Sequence, residues 1–487
     1  MKVGLLSLGC PKNLVDSEVM LGLAQQAGHD IVQDAASADV LVVNTCAFID
    51  QAKQESINAI LEMAAQKTDG RCRRLIVTGC LAERYRDELT AEIPEIDVVL
   101  GTGDVPGIVQ AIESGTAVSP APTTGAHPVV APATLYRRNG ASVSRHVAAR
   151  HREALATRDL PTYIYDAHTP RLRVTPRHFA YVKVAEGCDY NCSFCIIPTL
   201  RGQYRSRTVE SLVDEVQQLA AQGVREVILI SQDTTFFGID RGERGALSRL
   251  LRALDAVEGL ARIRLLYLYP TTVTDDVLDA MATLPKVCKY VDLPLQHSAE
   301  SVLARMRRPG NRASYERLLR RIRDRVPEVA IRTTLIVGFP GETRDEFEDL
   351  VGFVRAVEFD HLGVFTYSHE EGTAAGSQVD DIAPRVKQQR QRRLMALQRR
   401  IVERRHRAQV GTRTRVLVDG PSPEHELVLQ GRLDSQAPDI DPVVYLTDCD
   451  PSTVGAGALV DVEIVGAQGY DLVARPLSAL SDVWYPH

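Results

Sequence analysis

With 487 residues, the chain exceeds the length at which one hydrophobic core stops growing, so it divides into several units, and a small disulfide-stapled scaffold is excluded. Its 57 basic and 63 acidic side chains leave a net charge of -6, with 44% hydrophobic residues, a balance that suits a soluble globular protein and does not point to a nucleic-acid binder. Its nine cysteines are odd in number and widely spaced, which favours reduced thiols, metal ligands or a nucleophile over a disulfide framework.

The first residues, MKVGLLSLGC, imitate a lipoprotein signal, but the apolar run before Cys10 is shorter than the roughly 7–15 residues of a signal core. No later segment approaches the roughly 20 apolar residues of a membrane span, so the cytoplasm is the expected location. Residues 1–115 alternate strand and helix. Val3 to Leu8, Val40 to Val43, Leu75 to Thr78 and Val98 to Leu100 are short apolar runs. Leu14 to Ala27 and Asp50 to Lys67 have helical spacing between them. That alternation predicts an α/β unit with a doubly wound parallel sheet, whose ligands sit beyond the carboxyl ends of its strands.

Residues 116–178 change character. With Gly115 included, the stretch holds seven prolines, nine arginines, five of the twelve histidines and three acids. It reads as a linker or partly disordered insertion, with a basic nucleic-acid arm as the other reading. Regularity returns in 179–383. Strand candidates Tyr181–Glu186, Val227–Gln232, Ile263–Tyr269, Tyr290–Leu295, Ile331–Val337 and His361–Tyr367 alternate with helices, predicting a partial or complete (β/α) TIM-like barrel with its active site at the strand carboxyl ends. A basic helix follows over 384–410, with ten Lys or Arg and one acid between Arg385 and Arg407; a solvated face paired with acidic neighbours is the preferred reading over contact with RNA. Residues 411–480 read as a small antiparallel β-barrel.

The sharpest signal is EGCDYNCSFCIIPTLRG. Cys188, Cys192 and Cys195 lie within eight residues on a loop that can reach three corners of one iron–sulfur cubane, whereas zinc would want a fourth close ligand. Three thiolates leave one iron open for a substrate. Cys10, Cys46 and Cys80 form a second set, each directly after an apolar run, in LLSLGC, VVNTC and LIVTGC. If those runs are parallel strands, the thiols share one sheet edge; spacing alone leaves buried structural cysteines equally open. Cys72, Cys288 and Cys449 belong to neither set.

The three-then-two cysteine spacing, with the aromatic Phe194 before Cys195, resembles the radical S-adenosylmethionine (SAM) superfamily, and LIVGFPGE at Leu335–Glu342 resembles its adenosine-contacting segment. That resemblance implies a 4Fe–4S cluster on Cys188, Cys192 and Cys195, with SAM on its open iron and Phe194, Gly338, Gly341 and Glu342 near the cofactor. A three-cysteine α/β domain, a radical SAM barrel and a C-terminal barrel, in that order, resemble the methylthiotransferase family along nearly the whole chain. Its members carry a second 4Fe–4S cluster, here on Cys10, Cys46 and Cys80, and call the terminal module TRAM.

One branch of that family modifies tRNA adenosine, and another modifies an aspartate of ribosomal protein uS12. GCPKNLVDSE at Gly9–Glu18, ISQDTT at Ile230–Thr235, LQHSAESVLARMRRPG at Leu295–Gly310 and TYSHEEGT at Thr366–Thr373 look like the ribosomal-protein branch. Charge points the same way: residues 411–487 hold four arginines, no lysine and twelve acids, a local balance of -8 that repels phosphate and suits a basic protein partner. Acids that merely solubilise the barrel are the bland reading. The resemblance thus implies radical removal of a hydrogen from the aspartate β-carbon, sulfur insertion and methylation to 3-methylthioaspartate, on uS12 either free or in the small subunit, with a low-potential electron donor and a sulfur donor as partners. The alternative is a tRNA adenosine methylthiotransferase. Barrel geometry nominates Gln232, Asp233 and His297 as catalytic or orienting groups; capping of the next helix is the competing reading for Asp233.

Overall fold

The computed structural model of the chain describes residues 1–116, 160–449 and 454–477. Most of the expected insertion, 117–159, and the end of the expected terminal barrel, 478–480, lie outside the described residues.

Five strands, β1 (Lys2–Ser7), β2 (Asp30–Ile31), β3 (Val40–Thr45), β4 (Arg74–Gly79) and β5 (Val98–Leu100), form one parallel sheet in the order β2-β1-β3-β4-β5. β3 is buried along its whole length, as a central parallel strand with both faces covered must be. Its alternate residues serve opposite layers: Val40 and Val42 pack with the helix Pro11–Gln26, and Leu41 and Val43 with the helix Asp50–Asp69. The doubly wound expectation holds. β2, two residues long at the edge, is too short to leave any periodicity and is absent from the sequence reading.

β6 (Phe179–Lys183) opens the second unit; β7 (Ala185–Glu186) and β8 (Arg205–Ser206) make a short antiparallel ladder beside it. β9 (Glu226–Ile230) and β10 (Arg262–Leu265) pair parallel with β6, and β11 (Tyr290–Asp292), β12 (Ala330–Val337) and β13 (His361–Thr366) form a second parallel sheet. A parallel bridge from Ile263 to Val287 links the two, giving a six-stranded partial barrel. Strand alternation sorts its residues: Ala180, Val182, Val227, Leu229, Ile263 and Leu265 join the core under the outer helices, whereas Tyr181, Ile228, Ile230, Leu266 and Tyr290 join the core shared with the first unit.

The insertion is not a free linker at its end. Residues 160–178 run between the first helix and the barrel, where the Arg171 guanidinium spans Glu18 (Nε–Oε2 2.8 Å) and Glu215 (Nη1–Oε1 2.7 Å). Gly22 lets this strap approach, since a Cβ there would stand 2.5 Å from the Pro170 carbonyl oxygen. The sequence reading missed this packing because the strap carries no periodic pattern; its order comes from two buried carboxylates on other elements.

The helix Pro384–Gln409 lies as expected. Leu394 and Ile401 enter the barrel core, and its cations meet acids: Lys387 with Asp380, Arg390 with Glu342, Arg393 with Glu348 and Arg405 with Asp360. The terminal unit closes as a ring of β14 (Arg413–Ser422), β15 (His425–Arg432), β16 (Val444–Leu446), β18 (Asp471–Pro476) and β17 (Leu459–Gln468). It is not wholly antiparallel, because β16 and β18 run parallel. Five strands cannot alternate direction around a closed ring, so one parallel pair is unavoidable.

This ring plugs the barrel floor. Arg432 reaches Glu226 at 2.7 Å while its Nε donates to Asp419 at 2.9 Å, and Arg264 ties Glu226 to the Asp434 carbonyl. Tyr290 donates to Asp441 at 2.6 Å, whose side chain is 1% exposed. Some of the twelve terminal acids are therefore turned inward, and the outer surface is less acidic than the bare count implies.

Candidate active site at two cysteine triads

The sheet order of the first unit reverses between β1 and β3, and it is beyond the carboxyl ends at such a point that ligands bind. Cys10 follows β1, Cys46 follows β3, and Cys80 follows β4. The loops touch: a Cβ on Gly9 would lie 3.0 Å from the Cys46 Sγ, and one on Gly79 would collide with Asn44 and Thr45. Glycine at both places, with φ of +89° and +94°, is what lets the three strand ends converge. Burial pushes the Cys80 thiol up to about 12, with Cys10 and Cys46 adding to the shift and Arg201 opposing it; Cys46 is raised chiefly by burial too.

Cys188, Cys192 and Cys195 occupy the loop after β6 and β7. Gly187 (φ +84°) folds it back on the Gln203 carbonyl, 2.1 Å from where a Cβ would stand. Buried Ser193 pins its middle, its N–H donating to Met306 O at 3.0 Å and its hydroxyl to Arg305 O at 2.8 Å. Burial and then the neighbouring thiols drive Cys188 well above the ordinary thiol value and Cys195 up to about 12.

Among the described residues, no three His, Cys, Asp or Glu side chains are grouped to hold a single metal ion. A cubane spreads its thiolates over separate irons, and the donor set suits one. Desolvation makes Cys46 and Cys80 in the first triad and Cys188 and Cys195 in the second resist ionisation as free thiols, so these four gain their charge only when metal takes the protons' place.

A buried charged wedge joins the triads. Arg201, at the end of the short helix Ile197–Arg201 that follows Cys195, donates to Asp16 at 2.7 Å, Glu186 at 3.1 Å and the Cys80 Sγ at 3.7 Å, and also to Asn13. Lys183 bridges the same two carboxylates. Burial would raise the Glu186 carboxyl, but Lys183 and Arg201 hold it well below the usual range. Lys12, two residues after Cys10, reaches the barrel mouth, its Nζ 3.1 Å from the ring centroid of Tyr267.

Gln232 donates to Glu186 at 2.7 Å, and its buried Oε1 has no partner among the described residues. Asp233 is a structural cap: it accepts from Thr235 N at 2.9 Å and from the Tyr190 hydroxyl at 2.8 Å, tying the cysteine loop to β9. His297 is fully buried, accepts from Ala299 N at Nδ1, and faces Glu342 at 3.8 Å through Nε2. Glu342 clamps the loop of Gly338 and Phe339 by accepting both their N–H groups; Gly338 and Gly341 both have φ of +73°. Phe194 packs on the small core of Val302, Met306 and Phe339 beneath that loop.

Gln232 thus joins the wedge, whereas Asp233 and His297 act on loops. Lys12, Asp16, Lys183, Glu186 and Arg201 were not anticipated. Their signal was charge inside apolar or motif-bearing strings, YVKVAE and PTLRG, where a buried ion demands a partner.

Residues 2–101 match the family described as Uncharacterized protein family UPF0004, residues 182–354 the Radical SAM superfamily, and residues 410–477 the TRAM domain. The Radical SAM match implies a 4Fe–4S cluster and SAM. Ribosomal protein uS12 methylthiotransferase RimO of Trichlorobacter lovleyi is 45% identical over 97% of this chain and 98% of its own. RimO of Koribacter versatilis is 45% identical over 98% and 96%. In fold, the chain is similar to the radical SAM methyltransferase TsrM of Kitasatospora setae, with a TM-score of 0.53 at 17% identity over 77% of this chain and 74% of that one. Among the described residues no helix is long and apolar enough to cross a membrane. Two cysteine triads on successive parallel sheets, a terminal ring plugging the second, and identity of this extent together place the chain in the RimO family of radical SAM methylthiotransferases.

Proposed function

We propose that the protein inserts sulfur at the β-carbon of an aspartate in ribosomal protein uS12 and methylates it, giving 3-methylthioaspartate, in the cytoplasm where that substrate is made. The observation that carries this reading is the pair of triads joined by one buried wedge, Arg201 following Cys195 and touching Cys80, in a chain whose relatives at 45% identity are uS12 methylthiotransferases.

Cys188, Cys192 and Cys195 would hold one 4Fe–4S cluster with SAM, and Cys10, Cys46 and Cys80 a second. Bound there, these groups would supply a 5′-deoxyadenosyl radical and a sulfur donor, which suits the substrate because a C–H beside a carboxylate is too weakly acidic for an unassisted side-chain base. The protein's part is position and exclusion of water. Glu342 fixes the Gly338–Phe339 turn against Phe194, and Ser193 fixes the cysteine loop. Tyr190 stacks on Tyr269 at 3.9 Å between centroids, and Arg308 lies over Tyr269 while donating to Cys192, so one wall of the mouth is aromatic and closed. Gln232, through Glu186, links the end of β9 to the wedge.

The test is the intact mass of uS12 from cells with and without the gene. A methylthio increment confined to cells with the gene is expected; an unchanged mass refutes the reading, and a mass difference on digested tRNA instead would move the protein to the tRNA branch.

A further inference from the structure

Lys12 is 8% exposed and extends from the first unit over the ring of Tyr267, just past β10. Tyr267 is itself held in place, with φ +61° and its N–H donating to Asp292 at 2.9 Å. The other cations of the mouth are spoken for. Lys183 and Arg201 share Asp16 and Glu186, Arg332 meets Asp292, Arg205 donates to three backbone carbonyls, and Arg308 to Pro294 O. Lys12, among the described residues, makes no hydrogen bond and no ion pair within 4 Å. A π face offsets only part of the cost of burying an ammonium, and an anion in contact would offset the rest.

We infer that the Lys12 ammonium receives the carboxylate of the target side chain. The inference rests on the proposed function. Lys12 stands two residues after Cys10, and the ring its ammonium covers belongs to Tyr267, whose N–H is tied to Asp292 at the end of β11. A carboxylate anchored here is held where the unit that bears Cys10 meets the barrel mouth, so its adjacent β-carbon is presented at the junction of the two units whose triads must remove hydrogen and insert sulfur. An ammonium is a point charge and needs no planar fork. An uncharged nucleobase in the same place would leave that buried charge unpaired, so the residue also rejects the other substrate class.

The experiment measures binding of labelled uS12 to the full-length, anaerobically reconstituted protein with SAM and without reductant, using uS12 with the target Asp and with Asn in its place. Wild type is expected to prefer Asp by roughly 30-fold, the low end for removing one partner of a buried charge pair. Lys12→Met should erase the preference while Lys12→Arg keeps part of it, with iron content and binding of the Asn form reporting an intact fold. A preference that survives Lys12→Met overturns the inference alone; a wild type that binds neither form overturns the proposed function and this inference with it.

Discussion

Arg201→Met tests whether the wedge between the triads is an energetic joint. The arginine is 3% exposed and contacts two carboxylates at 2.7 and 3.1 Å. At about 3 Å and an effective dielectric of about 20, each contact is worth roughly 5–6 kcal/mol of attraction. Releasing the guanidinium from its own desolvation returns part of that, and Lys183 still bridges Asp16 and Glu186. The net loss should be about 3–5 kcal/mol, as for other buried pairs that lose one partner. Anaerobic urea unfolding, followed by circular dichroism and cluster absorbance, reads it as a lower midpoint of the first transition with early loss of iron. The pH dependence has a fixed sign. Glu186 is held below the ordinary glutamate value of 4.5, so its contribution is complete above that pH and disappears as pH falls through its folded value. The gap between wild type and Arg201→Met is therefore full at pH 7 and narrows below about pH 4.5. A loss under about 1 kcal/mol at pH 7, or a gap that widens in acid, refutes the reasoning.

Two cubanes require about eight irons per reconstituted chain, and Cys188→Ala or Cys10→Ala should each lower the count to about four. Cys188→Ala abolishes reductive SAM cleavage, whereas Cys10→Ala keeps it and loses thiolation; normal thiolation by Cys10→Ala would contradict the division between triads. At the barrel floor, Arg432, Arg264 and Arg262 outweigh burial and hold Glu226 down to about 2. Glu226→Gln should cost about 3 kcal/mol at neutral pH, measured by chemical denaturation. The wild-type advantage is in place above about pH 4.5 and fades towards pH 2; a pH-independent difference would mean that packing rather than charge holds the terminal ring.

The amino-acid sequence by itself determined what is local. Cys188, Cys192 and Cys195 sit on one short loop, so their spacing alone points to a shared cluster, and the apolar runs of β3 and β9 read as buried parallel strands because period and length are properties of a few neighbouring residues. The basic helix Pro384–Gln409 was legible for the same reason. Tertiary structure decided whatever depends on strand order or on burial. Cys10, Cys46 and Cys80 share an edge only because β1, β3 and β4 are neighbours in the sheet. The strap at 160–178 is ordered by Glu18 and Glu215, and Asp441 turns inward to Tyr290, against a charge count that treats every acid as surface. Lys12 and Arg201 are ordinary cations in the sequence. A charge acquires its meaning from the dielectric and the partners around it, and those are supplied by residues distant in the chain.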